Sequence, residues 1–494
     1  MPAPAIIEEK EIQGLTADSR RVQPDYLFAA LPGTQVDGRK FIRQAVEKGA
    51  VAILAPSGTK LDQGIKAHDG TAPVLLADPN PRRRLALLAA QFYCSQPATI
   101  AAVTGTNGKT STALFTQQIW QLLNHKAVSL GTIGLHPNHQ AAPASLTTPD
   151  AVELHACLAA LAEDGFDHLV MEASSHGLDQ HRLDGVQVRA AAFTNLSRDH
   201  LDYHQTTEAY RNAKQRLFRD LLATDGTAVL NLDSPESQAL IEICQSRGIK
   251  TIGYGKNSSA NLRLVDQRPN GTGQDVTLEV MGIKCDIALP LAGDFQAWNV
   301  LAALGIVIAC GADPTAALLC LPRLKGIPGR AEYVGDGPGG GAIYVDYSHT
   351  PDALETILKA MRPHTVGELW VIVGCGGDRD RGKRPMMGEI AVRLADRVIV
   401  TDDNPRSEDP AAIRAQIMAA APTAQEIGDR GAAIMQGVAA LRPGDVLIIA
   451  GKGHETGQTI GGKVLPFDDR SVARDAAGIP TTSGQKPNEA GEQP

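Results

Sequence analysis

The sequence predicts an α/β protein of three domains: a small mixed α/β N-terminal domain, a central parallel-sheet domain of the phosphate-loop type, and a C-terminal Rossmann-like domain. Three observations carry that prediction. The chain has 494 residues, and division by a typical domain of ~150 residues calls for about three cores. A strand, a glycine loop and a helical stretch follow one another just beyond Pro97, the order of a nucleotide-type unit. The Gly/Pro cluster Gly326-Ile327-Pro328-Gly329-Arg330 reads as a hinge, and a second series of alternating strands and helices follows it.

Taken in order, residues 1–95 hold the apolar runs Ala50-Val51-Ala52-Ile53-Leu54 and Val74-Leu75-Leu76 between Gly, Pro and Asp turns, a small mixed domain. Residues 96–326 place strands at 99–103, 168–172, 189–194 and 228–231 and helices at 109–123 and 297–310, which argues for a parallel sheet with crossovers. Residues 327–478 alternate strands at 343–346, 369–373, 398–401 and 446–450 with helical segments, a Rossmann-like pattern. Residues 479–494 hold almost nothing apolar and read as a disordered tail.

Composition narrows the function. With 43% hydrophobic residues, 21% charged and a net charge of −8, the chain is ordinary globular protein with no sign of a nucleic-acid surface. Met1 to Lys10 lacks a basic start and an apolar core, and no run approaches the ~20 apolar residues of a membrane helix, so a cytoplasmic protein without membrane contacts is expected. Seven cysteines without CxxC spacing fit reduced thiols. Cys94, Cys157, Cys310, Cys320 and Cys375 lie in apolar or small-residue surroundings and read mostly as buried filler.

The chemistry starts at Gly105-Thr106-Asn107-Gly108-Lys109-Thr110-Ser111, between a strand and a helix, where backbone N–H groups and the helix dipole face a bound anion. Lys109 would neutralise β and γ phosphates, and the Thr110 hydroxyl would complete a Mg²⁺ shell. Two residues separate the glycines, fewer than in the usual Walker loop, so the generic motif is not matched; the plain alternative is a glycine-rich turn with an exposed lysine. Glu172 ends a strand at the edge where α/β sheets place ligands, and its carboxylate suits Mg²⁺, although such a residue alone is more often a solvated cap. The segment from Thr194 to His204 crowds further ligand types together; His200 is a candidate second-metal ligand, and His204 reads equally well as a surface histidine.

Together the glycine loop, Glu172, the segment from Asn195 to His204, Asn299 and Arg330 resemble the Mur ligases, over nearly the whole chain. Asp18-Ser19-Arg20, Leu146-Thr147-Thr148-Pro149, Ser174-Ser175-His176-Gly177 and Gly376-Gly377-Asp378-Arg379-Asp380 are most similar to the members that add the third amino acid to the muramoyl peptide of peptidoglycan. The resemblance implies an ATP-dependent acid–amino-acid ligase. The D-glutamate carboxylate of UDP-N-acetylmuramoyl-L-alanyl-D-glutamate attacks the γ-phosphate of ATP, and an amine displaces phosphate from the acyl phosphate.

It also implies site residues. Gly105 to Ser111, Asn299 and Arg330 would contact ATP, with Asp346 near the ribose and His349 near the base. Lys109, Glu172, His200 and Lys214 would carry catalysis, with Thr110, Glu172, His200 and Lys214 around Mg²⁺ and Lys214 modified as a carbamate; without the resemblance Lys214 reads as a solvated helix lysine. Ala17, Ser19, Thr34, Gln35, Val36, Thr147, Thr148, Ser174, Gln180 and Arg182 would hold the dipeptide nucleotide. The small-molecule substrates are the expected partners, and the chain is expected to be a monomer.

For the amine, Asp403-Asn404-Pro405-Arg406 accompanies meso-diaminopimelate rather than L-lysine in similar enzymes. Diaminopimelate carries an additional carboxylate, which a guanidinium binds through two parallel hydrogen bonds. Arg406 and Arg379 offer that fork, and Gly451 and Glu455 would take the distal carboxylate-and-amine end. Rival readings are an L-lysine-adding ligase, a folylpolyglutamate synthetase-like enzyme, and an ATP-gated scaffold without catalysis.

Overall fold

The computed structural model describes residues 5–7, 10–33, 36–142 and 146–480. The expected substrate contacts Thr34 and Gln35, and residues 481–494 of the expected tail, lie outside them. The chain divides into two compact units, Met1–Leu264 with Glu279–Ile283 and Trp298–Cys320, and Val265–Leu278 with Lys284–Ala297 and Leu321–Pro494.

In the first unit, Gly14–Thr16, Tyr26–Ala29, Ala50–Pro56 and Val74–Asp78 form a four-stranded parallel sheet in that order. The apolar run from Ala50 to Leu54 is wholly buried because it is an inner strand covered on both faces. The helix Pro81–Tyr93 starts where Asn80 accepts the Arg83 N–H and Pro81 fills the first turn, an efficient N-terminal signal. It buries Leu85, Leu88, Ala89 and Phe92, the spacing of one helical face. Cys94 ends it in the left-handed conformation, φ 56°, and is exposed, so the reading of Cys94 as buried filler is corrected: it is a cap residue. Cys157, Cys320 and Cys375 are buried and Cys310 is half-buried.

Lys250–Gly255, Leu222–Asn231, Val188–Phe193, Thr99–Thr104, His168–Glu172 and Ala127–Gly131 are adjacent parallel strands in that order, with Gly134–His136 antiparallel beyond the last. Thr99–Thr104, His168–Glu172 and Ala127–Gly131 read as mostly apolar runs because both faces are covered. The long helix Phe295–Ala309 is apolar almost all round, as a helix enclosed by protein must be, and Gly305 lets it approach Val229 closely.

The N-terminal sheet's helix is fastened to the turn after Ser175–Asp179. Asp184 receives both Nη2 bonds of Arg216 at 2.6 and 2.7 Å and faces Arg83 Nε at 3.2 Å, while Asn80 bonds His181 at 2.9 Å. A Cβ on Gly185 would lie 2.5 Å from the Ala90 methyl.

In the second unit Glu332–Asp336 runs antiparallel to Ala342–Asp346, and Val446–Ala450, Leu369–Val373, Arg397–Val400 and Gln425–Glu426 continue the sheet in parallel. Helices Pro351–Met361, Lys383–Leu394, Pro410–Met418 and Arg430–Ala440 connect the strands. The expected strands at 168–172, 369–373 and 446–450 match to the residue. Leu262–Asn270, Gly273–Val280 and Ile283–Leu289 are three strands beyond those the sequence reading assigned; their polar texture and Pro269 obscure the pattern, and proline is tolerated only where its missing donor costs no ladder bond. Among the described residues no helix is long and apolar enough to cross a membrane.

The helices Arg430–Ala440 and Asp469–Ala476 are joined by a fully buried ion pair, Arg430 Nε and Nη2 donating to the two Asp469 oxygens at 2.7 Å each. Asp469→Ala leaves an uncompensated buried guanidinium and should destabilise this unit by about 3–5 kcal/mol; faster amide hydrogen exchange in both helices is the readout, and parent-like protection would refute the role.

Candidate functional site

The strand Thr99–Thr104 delivers the glycine loop to the helix Lys109–Leu122. The loop is held from the next strand's exit: Thr106 N–H donates to Asn195 O at 2.8 Å and Asn107 N–H to Asn195 Oδ1 at 2.9 Å. Thr194 Oγ1 donates to Asn107 O at 2.6 Å and Asn195 Nδ2 to the same oxygen at 3.1 Å. Gly108 caps the helix at φ 85°, and a Cβ there would lie 2.4 Å from Asn299 Oδ1. Asn299 is thus brought against the loop. Lys109 Nζ donates to Gly105 O at 2.9 Å and Thr106 O at 2.7 Å, so its charge lies inside the cradle.

Glu172, 1% exposed, sits at the end of His168–Glu172. Its Oε1 accepts from Thr110 Oγ1 at 2.9 Å and from Thr132 N–H at 2.8 Å, and its Oε2 from Thr132 Oγ1 at 3.2 Å. The solvated-cap alternative is excluded by that burial. A hydroxyl and a carboxylate beside a phosphate cradle form a hard all-oxygen donor set, which fits Mg²⁺.

Lys214, on Thr207–Arg216, is 2% exposed, so it is no solvated helix lysine. Its Nζ donates to Gly105 O at 2.7 Å, the oxygen that Lys109 also uses, and lies 4.4 Å from the Tyr210 ring centroid. Burial first, and the Lys109 charge second, hold its pKa well below the usual lysine range.

His200 takes φ 53°, lies half-exposed with Nε2 3.5 Å from Asp199 Oδ2, and meets the His176 ring edge-on at 4.9 Å. His204 is buried and packs on Tyr210 at 5.3 Å, which corrects the surface-histidine reading.

A second cluster in this unit gathers the expected substrate residues after Thr132. Thr147 Oγ1 lies 3.1 Å from Thr132 Oγ1, Thr148 Oγ1 donates to Glu172 O at 2.7 Å, and Ser174 caps the helix Ser175–Asp179. Arg182 donates to Thr148 O at 2.7 Å and to Gln180 Oε1 at 2.8 Å, with burial lowering its pKa. In the N-terminal sheet Ala17 precedes Ser19, whose Oγ donates to Gln44 Oε1 at 3.1 Å, and Val36 is exposed.

In the second unit, the C-terminal ends of four parallel strands carry the remaining expected residues, the edge where open α/β sheets bind ligands. Asp346 is buried, accepts Ala331 N–H at 2.7 Å and Ser348 N–H at 2.8 Å, and its pKa is raised by burial. Arg330 stacks on the Tyr347 ring, Cζ 4.4 Å from its centroid, and His349 packs beside the same ring at 4.6 Å. Asp403, Asn404, Pro405 and Arg406 follow Arg397–Val400. Asn404 Nδ2 donates to Glu455 Oε2 at 2.9 Å, and Arg406 Nη1 donates to Gly377 O at 2.8 Å. Arg379 is exposed, and a Cβ on Gly451 would lie 2.6 Å from Asp403 Oδ2.

Sequence reasoning missed Thr132, Asn195 as a loop clamp, and Lys452. Lys452 is fully buried and donates to Asn404 Oδ1 at 3.2 Å, Glu455 Oε2 at 3.1 Å and Gly457 O at 2.6 Å, so it orients both expected amine-site residues. Its place inside Gly451-Lys452-Gly453-His454-Glu455 was the available signal. His125, Asp167 and His168 also come together, but at the opposite end of the strand His168–Glu172 from the glycine loop.

Three family models match in succession: residues 11–93 the Mur ligase family catalytic domain, 103–307 the Mur ligase middle domain, and 329–453 the Mur ligase glutamate ligase domain. The chain is 53% identical over 464 residues to the UDP-N-acetylmuramoyl-L-alanyl-D-glutamate--2,6-diaminopimelate ligase of Caulobacter vibrioides, across 93% of this chain and 94% of the relative. A solved structure of an enzyme of that name aligns with a TM-score of 0.71 at 34% identity, across 97% of this chain and 99% of the other. The folylpolyglutamate synthase of Mycobacterium tuberculosis complexed with ADP aligns with a TM-score of 0.60 at 19% identity, across 75% of this chain and 91% of the other, a likeness of fold alone.

A Gly108→Ala change puts a methyl into Asn299 and strains the loop. It should lower turnover by about 100-fold, the scale of an ångström-sized misplacement, while far-ultraviolet circular dichroism stays unchanged; turnover within about threefold of the parent would show that the loop tolerates the shift.

Proposed function

Because the chain belongs to the Mur ligase family, we propose that it is the ATP-dependent ligase that joins meso-diaminopimelate to UDP-N-acetylmuramoyl-L-alanyl-D-glutamate in peptidoglycan precursor synthesis. The half-identical relatives of that name support the reaction. The observation that carries the choice of amine is the pair Arg379 and Arg406, two guanidiniums that among the described residues donate to carbonyl oxygens on the edge that also presents Asn404 and Glu455.

In this reading residues 1–95 bind the nucleotide-sugar peptide, 96–326 bind ATP and 327–478 bind the amino acid. Ala17, Ser19, Thr34, Gln35, Val36, Thr147, Thr148, Ser174, Gln180 and Arg182 hold the peptide nucleotide. Gly105 to Ser111, Asn299, Arg330, Asp346 and His349 hold ATP. The D-glutamate carboxylate oxygen attacks the γ-phosphorus and ADP leaves; the amine nitrogen then attacks the acyl carbon, the C–O bond to phosphate breaks, and the amine proton passes to solvent or phosphate. The chain supplies positioning and charge rather than a nucleophile. Lys109 neutralises the phosphates, and the glycine-loop N–H groups orient them. Magnesium, held through Thr110, Glu172, His200 and Lys214, supplies further neutralisation of phosphate charge when bound.

Lys214 serves as a carbamate. Its uncharged nitrogen adds to CO₂ with loss of a proton, replacing a group that would repel a cation by an anionic oxygen ligand. Two ammonium groups on the one Gly105 oxygen are also avoided. In the same reading the enzyme acts in the cytoplasm, as a monomer.

Phosphate release with ATP, Mg²⁺ and the peptide nucleotide should require meso-diaminopimelate, with L-lysine inactive; the reverse preference would overturn the arginine reading and keep the ligase. Arg406→Ala should cost about 2–5 kcal/mol in recognition of diaminopimelate, read as a raised KM for that substrate alone, and an unchanged KM would contradict the assignment. Equilibration with ¹³C-bicarbonate should give a carbamate resonance that Lys214→Ala abolishes. Because the lysine must be neutral to react, the resonance should weaken as pH falls, and a signal identical in Lys214→Ala would defeat the modification.

A further inference from the structure

Arg379 and Arg406 stand on two different loops, and a third arginine joins those loops from beneath. Arg384, in the first turn of Lys383–Leu394, has no exposed surface. Its Nη1 donates to Glu408 Oε2 at 3.1 Å and its Nη2 to Glu408 Oε1 at 2.9 Å, a two-point pair. Nη1 also donates to Gln416 Oε1 at 2.9 Å, and Nη2 to Gly376 O at 3.2 Å. Glu408 Oε1 in turn accepts the Asp378 N–H at 2.7 Å. The Asp378 carboxylate reaches back across the gap, accepting Ser407 Oγ at 2.6 Å and Ser407 N–H at 3.2 Å.

The two loops are pressed together. Gly377 N–H donates to Asn404 O at 2.9 Å, and a Cβ on Gly377 would lie 2.0 Å from Pro405 O. Asp378 and Arg406 both take left-handed backbone, φ 54° and 53°, a conformation that non-glycine residues keep only where the surroundings over-determine it. The Arg384–Glu408 pair with its Asp378 and Ser407 extensions provides that constraint, immediately before Arg379 and two residues after Arg406.

The charges point the same way. Arg379, Arg381, Arg384 and Arg406 all lie on or beside these loops, and Glu408 is shared by Arg384 and Arg381, the latter at 3.3 Å. Among the described residues Arg379 and Arg406 donate to carbonyl oxygens. We propose that Arg384 is a positioning residue for amino-acid selection: it binds Glu408 at two points, which sets the spacing of the loops and keeps that carboxylate away from the guanidiniums of Arg379 and Arg406. The inference rests on the reading that those two arginines receive the substrate's additional carboxylate. A lysine cannot reproduce a planar two-point pair.

The test is steady-state kinetics of the full chain with each substrate varied in turn, on Arg384→Lys, Glu408→Gln, Ser407→Ala and, as a control for the underlying reading, Arg406→Ala. Arg384→Lys and Glu408→Gln should each raise KM for meso-diaminopimelate by about tenfold or more, with KM for ATP and for the peptide nucleotide within about twofold of the parent. Ser407→Ala, which leaves the buried pair intact, should raise it by a smaller factor. A KM for diaminopimelate within about twofold of the parent in the folded variants overturns the inference. An equal loss for all three substrates with a lowered melting temperature also overturns it, since that is structural support alone. Should Arg384→Lys fail to fold, Glu408→Gln and Ser407→Ala decide by the same criterion. If Arg406→Ala itself leaves KM for diaminopimelate unchanged, the carboxylate reading falls; if Arg406→Ala raises it and the other variants do not, only the positioning role falls.

Discussion

Glu172 is the constraint on which the nucleotide end of the first unit depends. A carboxylate removed from water is stable only with hydrogen-bond donors or a cation around it, and here the donors come from the first turn of Lys109–Leu122 and from Thr132, just beyond Ala127–Gly131. The adjacent strand ends are thereby drawn to one charged oxygen pair. Gly131 has no side chain because a Cβ there would lie 2.2 Å from Glu172 Oε1. Thr148 and Arg182, proposed to hold the peptide nucleotide, inherit this placement, since Thr148 bonds the Glu172 backbone carbonyl and Arg182 bonds the Thr148 carbonyl.

Much of this was legible in the sequence, for identifiable reasons. Buried parallel strands are short apolar runs, so His168–Glu172, Leu369–Val373 and Val446–Ala450 could be read to the residue, and Lys109 marks the helix start because a glycine loop precedes it. The strands from Leu262 to Leu289 were not legible, since half-exposed strands with polar faces carry weak periodicity. Within the candidate site, residues whose chemistry is local to a motif could be nominated from the sequence. Those acting across sequence distance were not: Thr132 reaches Glu172 across 40 positions, and Lys452 reaches Asn404 across 48. The burial of Lys214 is likewise a tertiary fact, because nothing in Tyr210-Arg211-Asn212-Ala213-Lys214 separates a core lysine from a surface one.

The chain is acidic overall, with a net charge of −8, yet basic side chains gather at the glycine loop and at the C-terminal strand ends of the second unit. At the glycine loop, Lys109 and Lys214 converge on one carbonyl oxygen. On the second unit's sheet edge, Arg379 and Arg406 donate to the carbonyl oxygens of Asp378 and Gly377. In each place the basic groups carry the charge opposite to what the proposed reaction brings in, phosphate at one and carboxylate at the other, and overall net charge says little about either.

The fastening of Pro81–Tyr93 through Asp184, Arg83 and Arg216 has a metric consequence. It places the N-terminal sheet and the glycine loop in one compact unit, so the span from Ser19 to Glu172 behaves as a ruler. On the proposed reading, a nucleotide sugar anchored at one end presents its terminal carboxylate at a set distance. A stem one residue shorter would stop before the phosphate, and one residue longer would overrun it. Selection among successive intermediates of a growing peptide then follows from length, before any side chain of the stem is recognised.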